Sequence, residues 1–371
     1  MEQFEKGTKF YSGVAPVVDL NGTWHEMGRQ YGALLSTELK DMYERAVCGR
    51  VFNDAGGKEA AIKTADKLYA AYPFRLKEFF KGMTETSGLE LDELKLVNAV
   101  EFIAFTAEIQ PGCAGIAVWG DYASDALIYG RNYDYCEWFK TVANNLVFAA
   151  FHPADGALST VTAGLAGEIY AVNAMNEKGI FMELNNAAFS GGALSFDNRR
   201  PSVVELFEYM FDCQTLDDAE HFFQTVKASF AYLIGITDGR IARCYEWPTF
   251  GVKLRETHTR PGLMVMTNHF TEPSWGLPRP DDEKSFRTCS RRENLLALAK
   301  HFKGAIDVSV MKDIMDTKVE NGGAASEQTI YRLVAEPSKL TLWFKIPGLQ
   351  DWTEIDMKAL LRPRGLIFEQ R

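Results

Sequence analysis

The spacing of apolar side chains changes once along the chain, near residue 113. Before that point the rhythm is helical. Met27, Tyr31, Leu34, Leu35 and Leu39 lie on one face of a helix that opens at the Asn21-Gly22-Thr23 start signal. Ahead of it, "VAPVVDL" at 14–20 reads as a short strand. Two further helices are predicted across 58–86, separated at Tyr72-Pro73, and a fourth across 91–108, ended by Pro111-Gly112. Residues 1–112 therefore read as a mainly helical segment.

From 113 the rhythm is that of strands. "GIAVWG", "ALIYGRNY", "NNLVFAAFH", "LSTVTAG", "EIYAVNAMN" and "GIFMELNN" follow at short intervals between Gly, Asp, Asn and Pro, which predicts tight, antiparallel connections. Helices are expected at 202–213 and 216–227, then strands in "AYLIGITD", "RIARCYEW", "GVKLRE" and "LMVMTNHF". Helices at 284–301 and 307–316 precede the last strands, "QTIYRLVAE", "KLTLWFKIP" and "WTEIDM". Strand runs separated by helix pairs imply two stacked sheets with helices outside.

The 371 residues, 46% hydrophobic and 24% charged, suit an ordinary globular chain with a proper core. A net charge of −10 argues against a nucleic-acid partner. No run approaches the roughly 20 apolar residues of a membrane span. "MEQFEKGTKFYSG" lacks the apolar core of a secretion signal, and "GLIFEQR" carries no lipidation or retention address. The expectation is a cytoplasmic protein with a small-molecule partner and no membrane or nucleic-acid partner. A homo-oligomer is compatible with the sequence.

Six cysteines and six histidines show no ligand spacing, so no metal or cofactor is expected. The GxGxxG, Walker, HExxH and GxSxG signatures are absent. "SVMK" at 309–312 fits SxxK, but without its companion motifs Ser309 and Lys312 read as positions on an amphipathic helix. Cys113 is different. It follows Pro111-Gly112 at a helix-to-strand junction. If the Gly112–Cys113 bond is cut, Cys113 gains an α-amine with a pKa of about 7.7–8.0, placing a general base on the nucleophile's own residue. Downstream, "YGRNYDY" at 129–135 places Arg131 and Tyr133 on one strand face, and Asn132 and Asp134 on the other. An arginine would favour the thiolate, and a carboxylate would hold the amine.

"PGC" followed by a strand and "GRNYDY" resembles the N-terminal-nucleophile cysteine hydrolases, which include choloylglycine hydrolases, penicillin V acylases and acid ceramidase relatives. The strongest likeness is to the acyltransferase branch typified by isopenicillin N acyltransferase. "VVDLNGTWHEMGRQYG" is similar to that branch's G-x-x-x-E-x-G-x-x-x-G opening. "AMNEKGIFMELNN", "TNHF" and "SFRTCSRRENLL" follow in the family's order. The resemblance implies a four-layer αββα sandwich (α+β class), with residues 1–112 as a retained pro-segment and 113–371 as the catalytic domain. It implies autocleavage between Gly112 and Cys113, with Cys113 as nucleophile and base, and Arg131 and Asp134 in the active site. Asn268 would stabilise the tetrahedral intermediate with Asn185 or Asn186, counting favouring Asn186. The late arginine would be Arg287 or Arg291, with Arg291 preferred. The implied reaction is cleavage of a linear, non-peptide amide of an N-acyl substrate through an acyl-thioester. Acyl transfer is the alternative, and an unprocessed binding relative is a third reading.

Overall fold

The computed structural model describes residues 1–106, 112–190, 194–195, 199–255 and 261–362. In chain order the strands among them are β1 (Glu2–Phe4), β2 (Gly7–Ser12), β3 (Ala15–Gly22), β4 (Ala114–Val118), β5 (Ile128–Asp134), β6 (Leu146–Pro153), β7 (Thr160–Leu165) and β8 (Asn173–Asn176). They continue as β9 (Phe181–Asn186), β10 (Tyr232–Thr237), β11 (Ala242–Trp247), β12 (Lys253–Leu254), β13 (Leu263–Met266), β14 (Thr329–Glu336), β15 (Thr341–Ile346) and β16 (Gln350–Asp356). One sheet runs β1-β2-β3-β6-β7-β8-β9-β10-β11-β12, the other β13-β4-β5-β14-β15-β16.

Strand alternation shows how the sheets stack. Phe148 of β6 meets Phe344 of β15 at a ring separation of 5.0 Å, so it faces the other sheet. Phe151, three residues on and therefore on the opposite face, packs against Trp24, Phe79, Phe207 and Phe211. Those rings belong to helices Trp24–Leu34, Phe74–Ser87 and Ser202–Met210 with its C-terminal cap. On the smaller sheet, Ile116, Val118, Ile128 and Val334 pack outward on Leu295, Ala299, Met311, Ile314 and Met315. These come from helices Thr288–His301 and Val308–Asp316. The result is a four-layer αββα sandwich. β5 and β14, covered on both faces, are buried along their whole length.

The first 112 residues are less purely helical than their pattern suggests. β1, β2 and β3 extend the larger sheet, and β3 pairs in parallel with β6, from Val17↔Phe148 to Gly22↔Pro153. β1 and β2 carry mostly polar and aromatic side chains at a sheet edge, too few aliphatics to register as strands. The helix expected across 91–108 is two helices, Leu91–Asn98 and Val100–Thr106. Its expected end at Pro111 lies outside the described residues. The expected helix break at Tyr72-Pro73 is present, between Lys58–Ala70 and Phe74–Ser87.

The glycine run after β3 has a steric explanation. Glu26 and Thr23 form a reciprocal capping box at the start of Trp24–Leu34. Gly28 and Gly32 then face helix Phe74–Ser87 at backbone contact. A Cβ on Gly28 would stand 2.0 Å from the Phe79 carbonyl oxygen, and one on Gly82 would stand 2.0 Å from that of His25. Backbone cannot retreat as a flexible side chain can, so Gly28→Ala should force the helices apart. The expected loss is about 1–3 kcal/mol of stability, read as a lowered urea midpoint.

Candidate active site around Cys113

Cys113 sits just before β4, in a buried position with 3% of its surface exposed. β4 pairs with β5 so that Gly115 lies opposite Arg131. Arg131 extends from β5 into the space between the sheets. Its Nη2 donates to the Leu184 carbonyl at 2.9 Å and approaches the Cys113 sulfur at 3.5 Å. Its Nη1 donates to the Val172 carbonyl and to Asn173 Oδ1. The neighbouring alternate position, Asp134, faces the other way. Thr329 Oγ1 donates to its Oδ1 at 2.6 Å, and Arg291 Nη1 lies 3.5 Å from its Oδ2. The two faces of β5 thus serve the two sides of one cysteine.

Arg291 reaches Cys113 from helix Thr288–His301. Nη1 donates to the carbonyl of Gly112 and, at 2.9 Å, to that of Cys113. Nη2 donates to Asn268 Oδ1 at 2.8 Å. Asn268 in turn donates from Nδ2 to the Asn186 carbonyl at 2.9 Å. The chain Gly112–Arg291–Asn268–Asn186 is continuous. Arg287, by contrast, is exposed and stands at the helix N-terminus with φ of 52°. Asn186 lines a cavity together with Cys113 and Arg131. Asn185 points between the sheets instead and donates to the Thr267 carbonyl at 3.3 Å.

Burial dominates the electrostatics. It pushes the Cys113 thiol up to about 11, against the pull of the Arg131 charge. Burial also raises Asp134, opposed by Arg291, and lowers Arg291, opposed by Asp134. Burial pushes His269 down to about 3, so it is neutral near pH 7 and packs as a structural residue. Its Nδ1 shares Thr288 Oγ1 with the Asn268 amide, which donates at 2.8 Å. Thr267 Oγ1 donates to the Thr288 carbonyl at 2.9 Å. Thr288 therefore ties "TNHF" to the helix that carries Arg291. Ser309 is exposed, and Lys312 lies 4.7 Å over the Trp343 ring, on an outer helix away from this cluster.

Sequence reasoning missed Thr288 and, more consequentially, Glu183. The Glu183 carboxylate is fully buried and its Oε1 lies 3.8 Å from Arg131 Nε. A Cβ on Gly115 would stand 2.4 Å from Glu183 Oε2, so the glycine makes room for the acid. Burial pushes this carboxyl up to about 7. An acid in the otherwise apolar start of "FMELNN", on the Asn185 face, was the available signal.

Residues 122–350 match the family described as acyl-coenzyme A:6-aminopenicillanic acid acyl-transferase. The chain belongs to this family. The match bears out the resemblance read from the motifs. Solved structures similar to this chain include a Caenorhabditis elegans N-acylethanolamine-hydrolyzing acid amidase ortholog, 17% identical over 64% of this chain and 95% of that one, with a TM-score of 0.46. Others are a conjugated bile acid hydrolase variant from Clostridium perfringens (13%, 67% and 93%, 0.48) and a penicillin V acylase from Agrobacterium tumefaciens (12%, 66% and 86%, 0.44). A search of curated proteins finds no significant match. Among the described residues, no helix is long and apolar enough to cross a membrane, and no His/Cys/Asp/Glu group could hold a metal ion.

Glu183 has a measurable consequence. Above about pH 7 it is ionised and offsets part of the Arg131 charge that favours the Cys113 thiolate. Glu183→Gln removes that anion at nearly constant volume. The inflection of the Cys113 alkylation rate should move to lower pH, as followed by iodoacetamide labelling across a pH series. An unmoved or raised inflection would show that Glu183 does not act on the thiol through Arg131.

Proposed function

We propose that the protein is an autoprocessed N-terminal cysteine amidohydrolase that cleaves a linear, non-peptide amide of an N-acyl substrate. The observation that carries this reading is the division between two arginines. Arg131 holds the sulfur, while Arg291 donates to the carbonyl of Gly112 that the sulfur would attack. Maturation would begin with addition of Sγ to the Gly112 carbonyl carbon. Arg291 would stabilise the oxyanion, the C–N bond would break, and the released α-amine would take up the thiol proton. Water would then hydrolyse the Gly112 thioester, leaving a carboxylate at Gly112 and a free thiol at Cys113.

Turnover would use the same groups. The α-amine of Cys113 takes the Sγ proton as sulfur adds to the substrate carbonyl. It then passes that proton to the departing amine as the C–N bond breaks. Hydrolysis of the acyl-thioester regenerates the thiol. Asn186, which lines the cavity with Cys113, and Asn268 would donate their side-chain amides to the oxyanion, once Asn268 exchanges its contact with the Asn186 carbonyl for the substrate. Cys113 also separates two spaces. One is the cavity on its Arg131 side. The other is a cleft lined by Gly112, Asp134, Arg287 and Arg291. Gly112, whose bond to Cys113 would release the α-amine, lines the second, so the leaving amine would exit there and the acyl group would occupy the first. Acyl transfer is the second reading, favoured by the name of the family, and differs only in what attacks the thioester.

Two experiments test the assignment. Wild-type protein should give separate masses for residues 1–112 and 113–371, and an acyl adduct on the second piece. Cys113→Ala should give one uncut mass and no adduct. Cutting in the alanine variant would overturn self-attack. Asn268→Ala should lower kcat by about a hundredfold with little change in KM. Of the neighbouring pair, Asn186→Ala should share that signature and Asn185→Ala should not.

A further inference from the structure

The cavity beside Cys113 is apolar for most of its wall, with Leu68, Val172, Leu184 and Val204 among its lining, yet it also holds acidic and phenolic groups. Glu101, from helix Val100–Thr106, lines it, as do Tyr133 and Tyr170. Tyr170 stands next to both Glu101, which is half-buried, and a second carboxylate, Glu168, which is 5% exposed. Glu101 adds to the upward push on the Glu168 carboxyl.

The other acids of the site each have a cation. Asp134 has Arg291 and Glu183 has Arg131. Among the described residues, neither Glu101 nor Glu168 forms an ion pair, and Arg131, the cation that Glu101 feels, is already engaged by Cys113, Glu183, Asn173 and two carbonyls. Polar capacity is also unused here. The Tyr133 hydroxyl, on a residue 3% exposed, and Glu168 Oε1 have no hydrogen-bond partner among the described residues. Burial raises both carboxyls, Glu101 to about 7, so holding them ionised is costly without a cation, and buried hydroxyls are ordinarily bonded. A further positive charge and donor, beyond the engaged Arg131, are what the cavity lacks.

We propose that this cavity is the acyl site for a substrate whose acyl chain ends in a primary ammonium group, received by Glu101 with Glu168 behind it. The inference rests on the amidohydrolase reading, which places the acyl group on the Arg131 side of Cys113. A three-donor ammonium matches the groups present: Glu101 as charge partner, with Tyr133 and Tyr170 as hydroxyl acceptors. The hydrocarbon part of the chain would lie along Leu184 and Val172, spacing the cation away from Arg131. Because Glu101 belongs to the first 112 residues, that segment supplies the specificity of the site as well as part of its wall.

The test is a panel of p-nitroanilides of short straight-chain acids of increasing length, each ending in ammonium, hydroxyl, methyl or carboxylate. At one chain length the ammonium-ended amide should exceed its methyl-ended counterpart about tenfold or more in kcat/KM, and the carboxylate-ended one should be the poorest. Glu101→Gln should bring the ammonium-to-methyl ratio towards one. Glu168→Gln serves as the second variant if the first does not fold. Methyl-ended amides that acylate Cys113 at least as well at every length would overturn the inference. So would hydroxyl-ended amides that match the ammonium series, or a ratio that both variants leave unchanged. If no amide in the panel leaves an acyl mass on Cys113, the amidohydrolase reading itself fails, which is a different result.

Discussion

A guanidinium placed between two sheets has to be answered on every side, and much of the site follows from how Arg131 is answered. Two backbone carbonyls, Val172 and Leu184, turn towards it just where β8 gives out between its neighbours. Asn173 supplies a side-chain oxygen, Glu183 the countercharge, and Cys113 the sulfur. Gly115, opposite Arg131 in the ladder, cannot carry a side chain because Glu183 occupies that space. A cation without these partners would not be tolerated in a dry interior. With them it becomes a fixed positive field beside a thiol that burial otherwise keeps protonated.

The second arginine works through backbone and side-chain amide rather than through sulfur. Arg291 is held at the entrance by Phe286, Gly112, Cys113 and Asn268, all through oxygen atoms. Its helix is tied to the Asn268 turn by Thr288, which meets three consecutive residues, Thr267, Asn268 and His269. His269, the histidine nearest the site, is spent on this splice. Under the proposed processing no histidine base would be needed, because Cys113 would carry its own amine.

The layered arrangement and nearly all the strands after 113 were legible because their alternation is strong and their turns carry Gly, Asn and Asp. The Arg131/Asp134 split across β5 was legible for the same reason, period two. Pattern alone does not separate Arg291 from Arg287. Both lie near one helix start, and it is burial in the folded chain that tells them apart. Glu183 was overlooked because a charged residue in a strand reads as solvent-facing, whereas this strand is buried on both faces. The first two strands were missed because edge strands need little apolar surface. The parallel register of β3 against β6 was unreadable, as local pattern carries no information about partners more than a hundred residues away.

That long-range pairing has a consequence for timing. β3 cannot dock until β6 exists, so the larger sheet closes late, after a loop of more than a hundred residues has been drawn in. Contacts of such sequence separation form slowly. The carbonyl of Gly112 meets Arg291, 179 positions later in the chain, only when that assembly is complete. If the bond after Gly112 is the one that Cys113 cuts, its rupture would require both events, and it would stay whole on a nascent or misfolded chain. Its cleavage would therefore act as a record, written once into the covalent structure, that folding had finished.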